Sequence, residues 1–376
     1  MNSFNELLHT HGVSRRDFLK YCSAVGAMLA LPTTMAPKIA QAIEQDNRPP
    51  VIWLEFQDCA GDSEGLLRAS RPGVGELVLD HISLDYHETI MAAAGHQAEA
   101  SKNATVEKYK GQYICVVEGS IPTGANGAYC TIGGRSAEQI LQQVGGNAAL
   151  IIAVGNCATF GGLPAAYPNP TGAKSVDELL PNKTVINLPG CPMNVDNLTG
   201  TIVHYLTFGA APAMDRFSRP KFAYGKRIHD NCERRSHFDA GQYVENWSDY
   251  GHQQGWCLYK MGCKGPETFH NCPTLRWNEG LSWPVMSGHG CAGCSEPGFW
   301  DTMMPMYRRL PNVPGFGVEA SALNIGTGIV GVSAAIFATH GAVTVARNWK
   351  NVQSAKADLR EEIKEQNEAD SSRRED

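Results

Sequence analysis

Val51-Ile52-Trp53-Leu54-Glu55-Phe56-Gln57-Asp58-Cys59 is an apolar run of strand length that leads to a cysteine, and the same pattern recurs twice. Ala149-Leu150-Ile151-Ile152-Ala153-Val154 leads to Cys157, and Thr184-Val185-Ile186-Asn187-Leu188 leads to Cys191. Short runs rich in branched residues and bounded by Gly and Pro read as strands buried on both faces of a parallel sheet. Leu77 to Leu84 and Tyr113 to Val117 extend the series, with helix-like stretches between its members up to about Gly209. That alternation predicts a doubly wound α/β sheet. Such sheets bind ligands at the carboxyl ends of their strands. Three cysteines delivered to one edge, in a chain of twelve, predict a buried inorganic cofactor there, and iron–sulfur is the reading that fits.

From Met214 onward the texture changes to Gly, Pro, Trp, His and Cys with little periodicity. A segment of that kind hardly buries a core by itself, so bound metal is expected to organise it. His229-x2-Cys232, Cys257-x5-Cys263, Cys272 and Cys291-x2-Cys294 place six cysteines and one histidine within 66 residues. A zinc site prefers two close pairs, and only one Cys-x2-Cys occurs in this set. A disulfide framework would leave His229 without a role. Two clusters fit better: His229, Cys232, Cys257 and Cys263 for a four-iron cubane, and Cys272, Cys291 and Cys294 for a cluster lacking one iron. Pro284 would fill the corner where a fourth thiolate otherwise stands.

The ends of the chain speak to location. Arg15-Arg16-Asp17-Phe18-Leu19-Lys20, a moderately apolar stretch to Ala36 and then Ala40-Gln41-Ala42 read as a twin-arginine export leader over residues 1–42. An ordinary secretory leader containing Arg-Arg is the alternative. Folded export with the cofactor already in place would keep the cysteines from pairing in an oxidising compartment. Ala320 to Ala346 carries no Asp, Glu, Lys or Arg, long enough to span a bilayer. Arg347 and Lys350 would hold its end in the cytoplasm. A Gly/Ala-rich core helix is the competing reading. The tail from 351 to 376 mixes charges and reads as a solvated helix or disorder. The net charge of −6, with no basic run, gives no sign of nucleic-acid binding.

Taken in order, several segments resemble one family, the small subunits of nickel–iron uptake hydrogenases. They are the leader, Ile82-Ser83-Leu84-Asp85-Tyr86, Val117-Glu118-Gly119, Pro189-Gly190-Cys191-Pro192, Arg227-Ile228-His229-Asp230-x-Cys232, Gly262-Cys263-Lys264-Gly265-Pro266 and Ser287-Gly288-His289-Gly290-Cys291. The resemblance covers nearly the whole chain. It implies a flavodoxin-like domain over residues 43–213 with a proximal cluster, and a loop-rich iron–sulfur domain over 214–314. A transmembrane helix over 315–350 and a cytoplasmic tail over 351–376 complete the expected organisation. Carried over by position, Cys59, Cys157 and Cys191 hold the proximal cluster, His229, Cys232, Cys257 and Cys263 the distal 4Fe-4S cluster, and Cys272, Cys291 and Cys294 the medial 3Fe-4S cluster.

What the resemblance implies for function is an electron-transfer subunit. Dihydrogen is split on a separate large subunit that holds the nickel–iron centre. Electrons then pass proximal to medial to distal, on to a membrane cytochrome b and the quinone pool. The protein would sit on the periplasmic side of the inner membrane. An iron–sulfur subunit of another membrane redox complex, related to quinone-reducing respiratory complexes, is the alternative.

This chain departs from the family at one ligand. The pattern Cys-x2-Cys after the first strand is here Cys59-Ala60-Gly61-Asp62, so Asp62 stands at the fourth thiolate position. A carboxylate ligand to a proximal 4Fe-4S cluster is the favoured reading, against a three-iron cluster or a tolerated loss, because a buried carboxylate without metal or partner is costly. Oxygen-tolerant relatives carry extra cysteines where this chain has Gly61 and Gly162. Glu64 reads as a proton relay or as an ordinary helix-starting acid. His340, in the apolar helix, reads as a haem-proximal residue or a helix-interface donor. Cys115 and Cys130 read as packing, Cys22 as lost with the leader, and His289 as a hydrogen-bond donor beside Cys291. His81, His87, His96 and His204 read as ordinary polar residues.

Overall fold

The computed structural model describes residues 15–29, 31–43, 48–70, 73–78, 82–309 and 322–372. Five parallel strands form its central sheet: β1 (Pro50–Glu55), β2 (Ser83–His87), β3 (Ile114–Glu118), β4 (Leu150–Val154) and β5 (Val185–Leu188). Their order is β2-β1-β3-β4-β5, with Val51 opposite Ile114 and Ile114 opposite Leu150. That is the flavodoxin-like order of a doubly wound sheet. The eight principal helices are α1 (Arg15–Met28), α2 (Ala36–Ile43), α3 (Gly61–Leu67), α4 (His96–Lys108), α5 (Ala137–Asn147), α6 (Gly155–Phe160), α7 (Val195–Phe208) and α8 (Ala322–Ser372).

Side chains along a strand alternate between faces, so each strand feeds two cores. Ile52 and Leu54 of β1 face one core with Ile140, Leu141 and Val144 of α5. Val51 and Trp53 face the other with Leu66 of α3 and Leu198 and Ile202 of α7. A capping box starts α5, the Gln139 N–H donating to Ser136 Oγ while Gln139 receives the Ser136 N–H.

Three expectations change. The run Leu77 to Leu84 is a strand only from Ser83. Leu77 and Ile82 are buried in the same core, whereas an odd spacing in a strand would point them to opposite faces. The Ile82 N–H also donates to Leu77 O at 3.0 Å, a bond that two residues five apart in one strand would not make. The cysteine-rich segment also buries more than its texture promised. Ile228, Val244, Leu258, Trp283 and Val285 cluster with Cys272 and Cys291, and the segment shares one compact unit with the sheet. Buried Arg219 ties it down, donating to Ser295 O (2.9 Å), Glu296 Oε1 (3.0 Å) and Asp215 Oδ2 (2.8 Å). Finally, the charged tail continues the apolar helix, so α8 runs unbroken for 51 residues to Ser372.

Helix α8 forms a second unit, and its stretch Thr327–Glu368 holds an apolar window long enough to cross a membrane, none of it buried. At the other end α1 and α2 form a hairpin on α7. Cys22, Val25, Leu29, Ile39 and Ala40 enclose Val203, and the Met28 methyl lies over Gly200, where a Cβ would meet it at 2.2 Å.

Candidate metal centres

Strands β1, β4 and β5 end on Glu55, Val154 and Leu188, and the turns beyond them carry Cys59, Cys157 and Cys191 to one edge of the sheet. The groups lie close enough to act on one another: Cys59, Asp62 and Cys191 all raise the Cys157 thiol. Burial, the larger cause, lifts Cys157 to about 12 and Cys191 to about 11. Asp62, 8% exposed, completes the group. Its Oδ1 accepts the Met193 N–H at 2.6 Å, and its Oδ2 occupies the space over Gly155, where a Cβ would stand 2.0 Å away. Burial and then the Glu118 carboxylate push its pKa well above the ordinary value, and no positive side chain is among the groups that act on it. Three thiols and one buried carboxyl gathered at one edge suit an iron-containing group, for which thiolate and carboxylate are both ligands.

Gly61 and Gly162 flank this group. A Cβ on Gly61 would lie 3.1 Å from Cys59 Sγ, and one on Gly162 would lie 2.4 Å from Cys157 Sγ at a φ of +57°. Side chains at these positions therefore press on the ligand sulfurs, and this chain has none there.

The residue that the sequence reading passed over is Glu118. It ends β3, is buried, and gathers four donors: Asp62 N–H (2.9 Å), Ser63 N–H (3.0 Å), Ser63 Oγ (2.6 Å) and Trp53 Nε1 (3.1 Å). It anchors the turn that carries Cys59 and Asp62. Gly119 beside it adopts φ +88°, and a Cβ there would collide with the Gln57 backbone at 2.8 Å. The motif Val117-Glu118-Gly119 was the available signal. His87 is likewise no ordinary polar residue. It is fully buried, stacks on Trp53, and its Nδ1 lies 3.4 Å from Glu55 Oε2. Burial would raise the Glu55 pKa, yet hydrogen bonds from His87 and Thr89 bring it below the ordinary value.

In the cysteine-rich segment, His229, Cys232, Cys257 and Cys263 line one pocket, so these four residues converge. Burial lifts Cys232 to about 11 and Cys257 to about 12. Cys272, Cys291 and Cys294 line a second, broader cavity that also takes in Cys191, Pro284 and Glu64. Burial raises all three thiols. The three groups are joined in a row. Cys191 lines the same cavity as Cys272, Cys291 and Cys294, and the Cys291 N–H bonds the Cys263 sulfur at 3.2 Å. Asn156, one residue before Cys157, reinforces the first joint by donating to Cys294 O (3.0 Å) and Glu296 O (3.2 Å).

Other candidates fall around these groups. His270, unremarked in the sequence, is buried beside Cys272; its Nδ1 accepts the Cys272 N–H at 3.0 Å, and burial lowers its pKa to about 3. His289 bonds the Gly290 carbonyl at 2.7 Å and stacks with Trp247, so its partner is the backbone rather than a cysteine. Glu64 is exposed and lies 3.9 Å from Arg68. Cys115 is buried in the core, its thiol raised to about 12, and Cys130 packs against that core, as expected of small apolar residues. His204 packs on Phe208. His340 lies on an exposed face of α8, and His81 lies outside the described residues.

Comparison with known proteins agrees with this arrangement. Residues 224–307 match the family of the C-terminal part of the "NiFe/NiFeSe hydrogenase small subunit", and residues 59–205 match "NADH ubiquinone oxidoreductase, 20 Kd subunit". The chain is 47% identical to the uptake hydrogenase small subunit of Azotobacter vinelandii over 93% of this chain and 98% of that one. It is 48% identical to the quinone-reactive Ni/Fe-hydrogenase small chain of Wolinella succinogenes over 90% and 98%. A solved [NiFeSe] hydrogenase from Desulfovibrio vulgaris Hildenborough superposes with a TM-score of 0.65 at 37% identity, covering 70% of this chain and 99% of that one. The chain therefore belongs to the small subunits of the membrane-bound and uptake NiFe hydrogenases, the iron–sulfur electron-transfer partners of a large subunit that holds the nickel–iron site.

Proposed function

We propose that the three groups are the proximal, medial and distal stations of one electron wire serving dihydrogen oxidation. The observation that carries this is the continuity of the three groups: Cys191 shares a cavity with Cys272, Cys291 and Cys294, and the Cys291 N–H bonds the Cys263 sulfur at 3.2 Å. In this reading Cys59, Asp62, Cys157 and Cys191 hold a 4Fe-4S cluster, and Cys272, Cys291 and Cys294 a 3Fe-4S cluster. His229, Cys232, Cys257 and Cys263 hold a second 4Fe-4S cluster. When bound, such clusters accept and release single electrons with little rearrangement, at potentials tuned by hydrogen bonds and exposure. The residues fix their spacing and exclude water. Glu118 holds the Asp62 turn, Asn156 and Arg219 lock the cysteine-rich segment to the sheet, and neutral His229 suits the outermost station. Cys59 and Cys191 are exposed in this isolated chain, which supports that edge as the face toward the large subunit. Glu64, beside it, would pass protons.

The reading extends to location. Residues 1–42 would serve as a twin-arginine leader ahead of domains at 43–213 and 214–314. Residues 315–350 would anchor the chain in the inner membrane with its body on the periplasmic side, and 351–376 would lie in the cytoplasm. A membrane cytochrome b would take electrons toward quinone, with His340 near its haem. The quinone-reactive Wolinella relative supports that direction.

Metal analysis of the purified complex tests the core of the proposal. Roughly eleven irons per small subunit in three clusters, without zinc, is expected. Cys263→Ser should lose the distal cluster's signals while the sheet's circular dichroism remains. Full iron content and unchanged distal signals in Cys263→Ser would refute that ligand set. For the proximal site, Asp62→Cys should keep four irons with altered spectra and Asp62→Ala should lose one.

A further inference from the structure

Buried nitrogen donors almost always find an acceptor. Two near Cys272 do not. The Nε1 of Trp283 and the Nε2 of His270 are buried without a hydrogen-bond partner among the described residues, and both residues line the cavity shared by Cys272, Cys291 and Cys294. Trp283 is 3% exposed and packs with Cys272 and Cys291 in one apolar cluster. Its indole N–H donates only, so an acceptor is what it lacks. His270 is 2% exposed; its Nδ1 lies 3.0 Å from both the amide nitrogen and the sulfur of Cys272, and acceptance of that N–H places the ring proton on Nε2. Leaving two such donors empty would be costly in a fold that satisfies most of its buried groups.

We propose that Trp283 Nε1–H and His270 Nε2–H are the hydrogen-bond donors to the inorganic sulfides of the cluster held by Cys272, Cys291 and Cys294, and that they raise its reduction potential. The inference rests on the medial-cluster reading above and deepens it. Its physics is electrostatic. Reduction adds negative charge to the cluster, and an N–H pointing at a sulfide stabilises the reduced state more than the oxidised one. Neither N–H is engaged by another group among the described residues, so both are free for the sulfides. Neither residue ligates iron. They are positioning residues that set the potential of the middle station.

The test is Trp283→Phe in the assembled, cluster-loaded complex, because phenylalanine keeps most of the buried ring and deletes only the donor. Potentiometric titration followed by electron paramagnetic resonance should show the 3Fe-4S signal retained, with its midpoint lowered. A tenfold weaker reduction equilibrium corresponds to about 59 mV for this one-electron couple. The distal cluster's midpoint should not move, which controls for general repacking. Pulsed measurements after exchange into heavy water should lose one deuteron coupled to the 3Fe-4S centre in the variant. His270→Phe should act in the same direction. An unchanged midpoint with the same exchangeable deuteron in Trp283→Phe would overturn the inference while leaving the cluster reading intact. Absence of any 3Fe-4S signal from the parent complex would overturn the cluster reading, and the inference with it.

Discussion

At the residue scale, the most consequential side chains are buried acids that do no ligation of their own. Glu118 satisfies four donors at the start of α3, and Glu55 satisfies Thr89 and Ser63 beneath the same turn. Hydrogen bonds to an ionised group contribute more than neutral ones, and removing one partner leaves the others unsatisfied. Glu55 gives a pH prediction. Its folded pKa lies below its ordinary value of 4.5, so its charge stabilises the fold fully above that value. The contribution is lost as the pH falls through the folded pKa. Glu55→Gln should cost about 1–3 kcal/mol at neutral pH, with the gap from the parent narrowing below pH 4.5. Urea unfolding at pH 7 and at pH 4 measures both, and a gap that widens in acid would contradict the assignment.

At the element scale, the short helices that follow β1 and β4 do different work from those that cover the sheet. Short α3 and α6 present Asp62 and Cys157, and their first glycines, Gly61 and Gly155, are constrained by the Cys59 sulfur and the Asp62 carboxylate rather than by the core. Helix α5 is a covering element, and its Gly146 faces open space with nothing within 4 Å of a would-be Cβ. Gly146→Ala should therefore stabilise the protein by about 0.4–1 kcal/mol. The same change at Gly162, at φ +57° and 2.4 Å from Cys157 Sγ, should strip iron from the proximal site. Thermal melts and iron content of the pair separate a helix-propensity effect from a site effect. These glycines look alike in sequence, which is why only the structure distinguishes them.

At the scale of the whole molecule, a chain ended after Pro314 should assemble with its large subunit, still reduce artificial dyes, and lose quinone-linked turnover. Retained quinone reduction would deny α8 its role as an anchor. Four strand runs were legible because burial of short branched runs is a local pattern, and the spacing of His229, Cys232, Cys257 and Cys263 foretold the pocket they share. What stayed hidden was long-range. Glu118 and His87 gain their meaning from partners 24 to 65 residues away, and Trp283 and His270 from a cavity no spacing reveals. The hairpin of α1 and α2 is hidden in the same way, since its seat on α7 is made by residues far downstream. That seat has a consequence in time. During synthesis the first 43 residues emerge with nowhere to rest, and their apolar face stays in water until α7 is complete. Once docked, the hairpin shields Val203 and the surface around Gly200; a chain trimmed at Ala42 uncovers them. Under the leader reading proposed above, the newborn, the folded and the trimmed chain would present three different faces.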